Sequence, residues 1–160
     1  MKILVLADIH SNLAALEKVL LAEPDVDATW CLGDIVGYGA RPNECIELIR
    51  SRPSLTCIAG NHDWGSIGKT ELDLFNADAR RACEWTDEQL SDESRDFLDS
   101  LIVQYPSYPE LFCSHLNSDW IRLTFKFKHS IRNHLRCISF FYVACHLKDT
   151  RAMIIFSVNE

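Results

Sequence analysis

The amino-acid sequence predicts an α/β fold: a parallel sheet layered with helices. Three short apolar runs, "KILVLA", "ATWCL" and "LTCIA", have strand length. Segments with apolar residues at helical spacing lie between them, and each run stops at a polar or glycine-containing turn. Strand–helix–strand–helix–strand with continuous apolar strands is the pattern of a sheet whose faces are covered by crossover helices.

The first strand is expected near residues 2–7, where an unbroken apolar run points to burial on both faces. A helix follows over "NLAALEKVLLAEP". Leu13, Leu16, Val19 and Leu20 recur on one side, Ser11 or Asn12 can cap the start, and Pro24 lies beyond the end. The second strand is expected near 28–32, stopping at Gly33-Asp34. In "RPNECIELIRSRP", Cys45, Ile46, Leu48 and Ile49 form a short helical stripe closed by Pro53. A third strand near 55–59 runs into "GNHDW". Residues 71–101 are helical. Thr86 with Gln89 three positions on has the form of a capping box, and Ser91 is the natural cap of a last short helix.

The 160 residues correspond to one domain. The formal net charge of −7 argues against general nucleic-acid binding, which needs a basic face. It leaves room for a small phosphorylated substrate, because a bound metal can outweigh the global charge. Seven cysteines without any C-x-x-C, several inside apolar runs, read as reduced thiols of a cytoplasmic protein. The apolar start is too short for a signal-peptide core, and no later run is long enough for a membrane span.

Three strand ends carry polar clusters: Asp8 and His10, then Asp34, then Asn61, His62 and Asp63. In a parallel sheet those ends share one edge, and their loops converge on a crevice. Carboxylates gathered there repel one another unless a cation lies between them. Asp8 and His10 are two apart, so one turn brings both to one ion. Asp34 has two oxygens and can bridge two ions, and Asn61 offers a neutral carbonyl oxygen. This mixed oxygen and nitrogen set suits Mn, Fe, Zn or Ni, with Mn favoured, and is too rich in nitrogen for Ca. A pair of divalent ions is a clamp for in-line displacement at phosphorus, with a water between them as nucleophile. His62 could then protonate or hydrogen-bond the leaving oxygen, and Asp63 could orient an imidazole or support the loop that carries it.

"DIH", "GDIVGYG" and "GNHD" resemble the first three motifs of the calcineurin-like metallophosphoesterase superfamily, D-x-H, G-D and G-N-H-[DE], in the expected order. Residues 1–102 are similar in particular to its small prokaryotic phosphoesterases. The resemblance implies a metallophosphoesterase-like sheet and hydrolysis of a phosphomonoester or phosphodiester. It also implies that Asp8 and His10 bind one metal, Asp34 bridges, Asn61 binds the second, and His62 is the catalytic histidine.

The second half departs from that pattern. The superfamily's later motifs, a lone histidine in H-G and a G-H-x-H, have no counterpart, since the chain contains neither H-G nor H-x-H. His115 and His146 are the residues that could replace them. All six glycines lie at or before Gly68, and Lys plus Arg against Asp plus Glu changes from 9 against 19 in residues 1–102 to 7 against 4 in 103–160. Residues 103–160 are therefore expected to be an atypical tail, with the second half of the fold truncated or divergent and poorly suited to the sheet. A slipped reading frame near residue 102 would account for all these changes. The alternative to an active enzyme is a degenerate or truncated member that binds metal or a phosphorylated ligand without significant turnover. The group His129, His134, Cys137, Cys145 and His146 matches no common zinc spacing.

Overall fold

The computed structural model describes residues 2–105, 108–112, 137–141 and 154–159, with side-chain burial for residues 2–103. Strand β1 (Lys2–Ala7) is the centre of the sheet. Its alternate residues point to opposite faces. Leu4 and Leu6 enter the larger apolar cluster and Ile3 and Val5 a smaller one, so the strand is buried on both sides as its unbroken apolar run requires.

Helix α1 (Leu13–Ala22) places Leu16, Val19 and Leu20 on that larger cluster. Its cap is Asn12, whose side-chain oxygen accepts from the Ala15 N–H at 3.2 Å. Strand β2 (Ala28–Cys31) pairs parallel with β1, and strand β3 (Leu55–Cys57) parallel with β2. Between them helix α2 (Pro42–Arg50) starts on a proline, where the missing N–H costs no hydrogen bond, and adds Cys45, Ile46 and Ile49 to the cluster that α1 covers. Both crossover helices thus pack against the Leu4/Leu6 face.

After β3 the chain turns into a five-residue helix, α3 (Asn61–Gly65), formed by the "NHDWG" segment itself. Helices α4 (Ala77–Gln89) and α5 (Asp92–Ser100) follow. Asn76 caps α4 by accepting from the Asp78 and Ala79 N–H groups, and Ser91 caps α5 by accepting from Ser94. The Thr86–Gln89 capping box does not form. Thr86 lies inside α4 and is buried with Ala79 and Cys83, four and seven positions along one stripe. Burial of that stripe holds the helix together through Thr86, and a motif that would start a helix there has no break to act on.

Two strands of residues 103–160, a segment whose sequence is hard to read as part of the sheet, nevertheless pair into it. Strand β4 (Gln104–Tyr105) and strand β5 (Tyr108–Phe112) form a separate antiparallel pair. Strand β6 (Cys137–Phe141) and strand β7 (Ile154–Asn159) extend the main sheet, whose order is β3-β2-β1-β7-β6. β7 runs antiparallel to β1, from Lys2 opposite Asn159 to Ala7 opposite Ile154. The physical reason is the free edge of β1, which offers unpaired backbone groups. "IIFSVN" takes that edge and "CISFF" pairs with the other side of "IIFSVN"; both are rich in β-branched and aromatic residues and form these ladders without glycine.

Candidate functional site

The loops leaving β1, β2 and β3 meet at one end of the sheet. Backbone bonds join the first two: His10 N–H donates to the Asp34 carbonyl at 2.9 Å, Ser11 N–H to Ile35 at 2.8 Å, and Gly39 N–H back to His10 at 2.9 Å. Asp8, His10, Ser11, Asp34 and Tyr38 all have φ between 50° and 55°, the left-handed region. Side chains rarely adopt it, at a cost on the order of 1–3 kcal/mol per residue. Five such residues in two adjoining loops mark a place where backbone strain is held by the surrounding fold.

The third loop closes against the second through Gly60. A β-carbon there would overlap the Asp34 carboxylate and backbone, so only glycine permits the approach. Asp34 Oδ1 then accepts from the His62 N–H at 2.9 Å. Asp63 faces back from the first turn of α3, and its carboxylate accepts from Gly60 N–H at 2.8 Å and from Val36 N–H at 3.1 Å. It therefore ties the β2 loop to the β3 loop rather than orienting an imidazole, because its place in the helix aims it at the residue three positions earlier.

Asp8, His10 and Asp34 are brought together as their spacing suggested. One ligand atom from each lies within 4.8 Å of the others. Asp8 is 3 %, His10 7 % and Asp34 1 % exposed. His10 Nε2 lies 3.5 Å from Asp8 Oδ1, while Nδ1 lies 3.1 Å from the Val36 carbonyl, to which it can donate. That bond leaves the Nε2 lone pair facing the carboxylates, the arrangement of a metal-ligating imidazole held from behind. Asn61 is the first residue of α3, between two residues that touch Asp34. Its Oδ1 is buried and has no hydrogen-bond partner among the described residues. A buried carbonyl oxygen left in this way costs free energy unless something binds it. The carboxylates, the imidazole and this oxygen make a donor set that fits a divalent ion.

The electrostatics agree. Burial pushes the Asp63 carboxyl up to about 7, helped by the nearby Asp34 charge and opposed by its two backbone hydrogen bonds. Burial of His10 works against its proton, but the hydrogen bond it donates to Asp8 and the charges of Asp34 and Asp8 outweigh it and raise its pKa. The cluster attracts positive charge.

His62, 3 % exposed, packs edge-on against His10 with ring centroids 4.8 Å apart. Tyr38 and Phe75 stand 4.7 and 5.3 Å from its ring, and Cys83 Sγ lies 3.5 Å from its Nδ1. Cys83 and Phe75 were not foreseen. The spacing of Ala79, Cys83 and Thr86 signals a buried stripe, but not which loop it faces. His115 and His146 lie outside the described residues, so the replacement they were expected to supply is not described. No helix among the described residues is long and apolar enough to cross a membrane.

Residues 1–138 match the family model of the calcineurin-like phosphoesterases. The uncharacterized protein MJ0912 of Methanocaldococcus jannaschii is 50% identical over 101 residues, which are 62% of this chain and 41% of that protein. The crystal structure of a metallophosphoesterase from Sphaerobacter thermophilus is similar with a TM-score of 0.56 and 50% identity, covering 66% of this chain and 43% of that one. That of hypothetical protein PH1004 from Pyrococcus horikoshii shares the fold at a TM-score of 0.55 and 22% identity, covering 82% and 66%. The chain spans about four tenths of the length of the first two relatives. By its family-model match the chain belongs to the calcineurin-like phosphoesterases.

Proposed function

We propose that this chain carries a metal-dependent phosphoester hydrolysis site acting on a small phosphorylated substrate, a phosphomonoester or phosphodiester. The observation that carries the reading is the buried Asp8–His10–Asp34 cluster, with its ligand atoms within 4.8 Å of one another, beside the unpartnered Asn61 oxygen. Asp8, His10, Asp34 and Asn61 would hold two divalent ions, with Asp34 shared between them and Mn²⁺ the first ion to test. Bound there, such ions supply Lewis acidity toward phosphoryl oxygens and a water acidic enough to attack phosphorus near neutral pH. The chain's own residues do the rest. His10 keeps Nε2 available through its Nδ1 bond to Val36, and Asp63 locks the two loops that carry Asp34 and Asn61. His62, in ring contact with His10, faces the phosphoryl group and hydrogen-bonds or protonates the leaving oxygen.

A second reading is favoured by one fact of the sequence. The chain contains neither H-G nor H-x-H, so a second ion has Asp34 and Asn61 as its ligands unless His115 or His146 adds to them. On that reading, which goes with residues 103–160 as an atypical tail, the chain binds metal or a phosphorylated ligand with little turnover. Hydrolysis of an aryl phosphodiester with added Mn²⁺ separates the two. Activity that needs Mn²⁺ and is lost in Asp34→Asn and His62→Ala supports the enzyme. Metal binding without turnover in folded wild-type protein supports the second reading.

A further inference from the structure

The Nδ1 edge of His62 faces the protein interior, and the residues around it are specific. Cys83 Sγ lies 3.5 Å away, in hydrogen-bond range for sulfur. On the same edge, a β-carbon added to Gly37 would sit 2.6 Å from Nδ1, so the backbone at Gly37 lies against it. Tyr38, tilted 44° to the imidazole, and Phe75, at 67°, contact the ring, and the His10 ring meets it at 77°. Three rings, one glycine and one thiol thus lie against the imidazole. With Nδ1 turned inward, geometry directs Nε2 the opposite way.

We propose that Cys83 is a positioning residue for His62: its S–H donates to Nδ1, so the ring proton resides on Nε2 and the Nε2–H is held ready to donate a hydrogen bond to an oxygen of the phosphoester. A neutral ring has one N–H, and which nitrogen carries it follows from what the other one accepts. Burial supports the donor role, since it pushes the Cys83 thiol up to about 11 and keeps it protonated. The thiol has two other neighbours, the Ser66 side chain, whose hydrogen bond to sulfur opposes the rise, and the His62 carbonyl, an acceptor 4.0 Å from Sγ and more distant than Nδ1. A thiol bound to that carbonyl would let Nδ1–H donate to sulfur and leave Nε2 without its proton. No proton changes hands in this role. The Nε2–H donates to the oxygen on which negative charge develops, as a fixed donor does in an oxyanion site. The role rests on the phosphoesterase reading only in naming that oxygen. The contact at Nδ1 stands without it.

The test has two readouts on the full 160-residue chain. The first, nitrogen-15 NMR of histidine-labelled, chelator-treated protein, needs no activity. The expected result is a His62 ring protonated at Nε2, with an Nδ1 signal that moves in Cys83→Ala. A wild-type ring protonated at Nδ1, or an Nδ1 signal unchanged in Cys83→Ala, overturns the proposal. The second is Mn²⁺-dependent hydrolysis. Cys83→Ala should lose about 10-fold in kcat with KM unchanged, and more for an alkyl leaving group than for nitrophenolate, while Cys83→Ser restores the rate. A loss equal for both leaving groups and not rescued by serine means packing alone and also overturns it. If wild-type protein hydrolyses nothing, the phosphoesterase reading fails and the NMR result alone decides the Cys83 contact.

Discussion

At the residue scale, the site depends on a few groups with no spare room around them. Asp34 touches the Asp8 and His10 cluster, accepts from the His62 backbone, and lies against Gly60. Asp34→Asn keeps the shape but removes a negative charge and one acceptor oxygen. It is expected to abolish tight divalent-metal binding, measured by calorimetric titration. His62→Ala should leave metal binding intact and lower kcat by about 100-fold or more, the usual weight of a positioned acid or donor. Gly37→Ala is a sharper probe. Gly37 has φ of +94°, and its added carbon would displace His62. Its folded state should lose about 1 kcal/mol or more in urea unfolding, and its turnover should fall with it. That Asp8, His10 and Asp34 gather at one place was legible because they, like Asn61 and His62, sit directly behind apolar runs, where strand ends meet. Asp63 was legible as a support of its loop, but the two N–H groups that it holds were not. Holding two backbone N–H groups depends on α3, a five-residue helix too short for any periodicity to reveal.

At the element scale, the helical layer is joined by side chains as well as by apolar contact. Asn43 on α2 donates to the Gln89 carbonyl at 2.8 Å and accepts from Ser91 N–H at 3.0 Å, so one amide secures the link between α4 and α5. Asn43→Ala should destabilise the chain by about 1–2 kcal/mol in denaturant titration, the net weight of two such bonds. Leu16→Ala, at a fully buried position of α1, should cost about 2–5 kcal/mol by leaving a cavity under the sheet. The first three strands and their two crossovers could be read because each has a pattern of its own: unbroken apolar runs for β1–β3, apolar stripes for α1 and α2. Thr86 misled because a capping signature is local, whereas the stripe that buries Thr86 spans the helix. β6 and β7 were missed because glycine loss and charge reversal describe the turns and surface of a segment. Strand pairing with β1 depends on a partner more than a hundred residues away in sequence.

At the scale of the whole molecule, buried charge at one end of the sheet sets how stability responds to pH. The Asp63 and His10 pKa values are both raised in the folded chain. The folded state then holds more protons than the unfolded one, and stability falls as pH rises. For Asp63 the contribution is complete below about pH 4, the unfolded value, and is lost as pH rises through about 7. For His10 it is complete below about pH 6.5, the unfolded value, and is lost as pH rises through its raised folded value. Chelator-treated protein should therefore show a Tm that declines from weakly acidic to weakly alkaline pH, with a smaller decline in Asp63→Asn. Added Mn²⁺ should oppose the decline, because ions bind the deprotonated ligands more tightly. The central claim is that Asp8, His10, Asp34 and Asn61 form a divalent-metal site, and the most direct test is calorimetric titration of Mn²⁺ into chelator-treated wild type, Asp34→Asn and Asn61→Ala. The account predicts saturable binding by wild type that is lost in Asp34→Asn and weakened in Asn61→Ala. Binding that is absent from folded wild type, or the same in all three proteins, would contradict it.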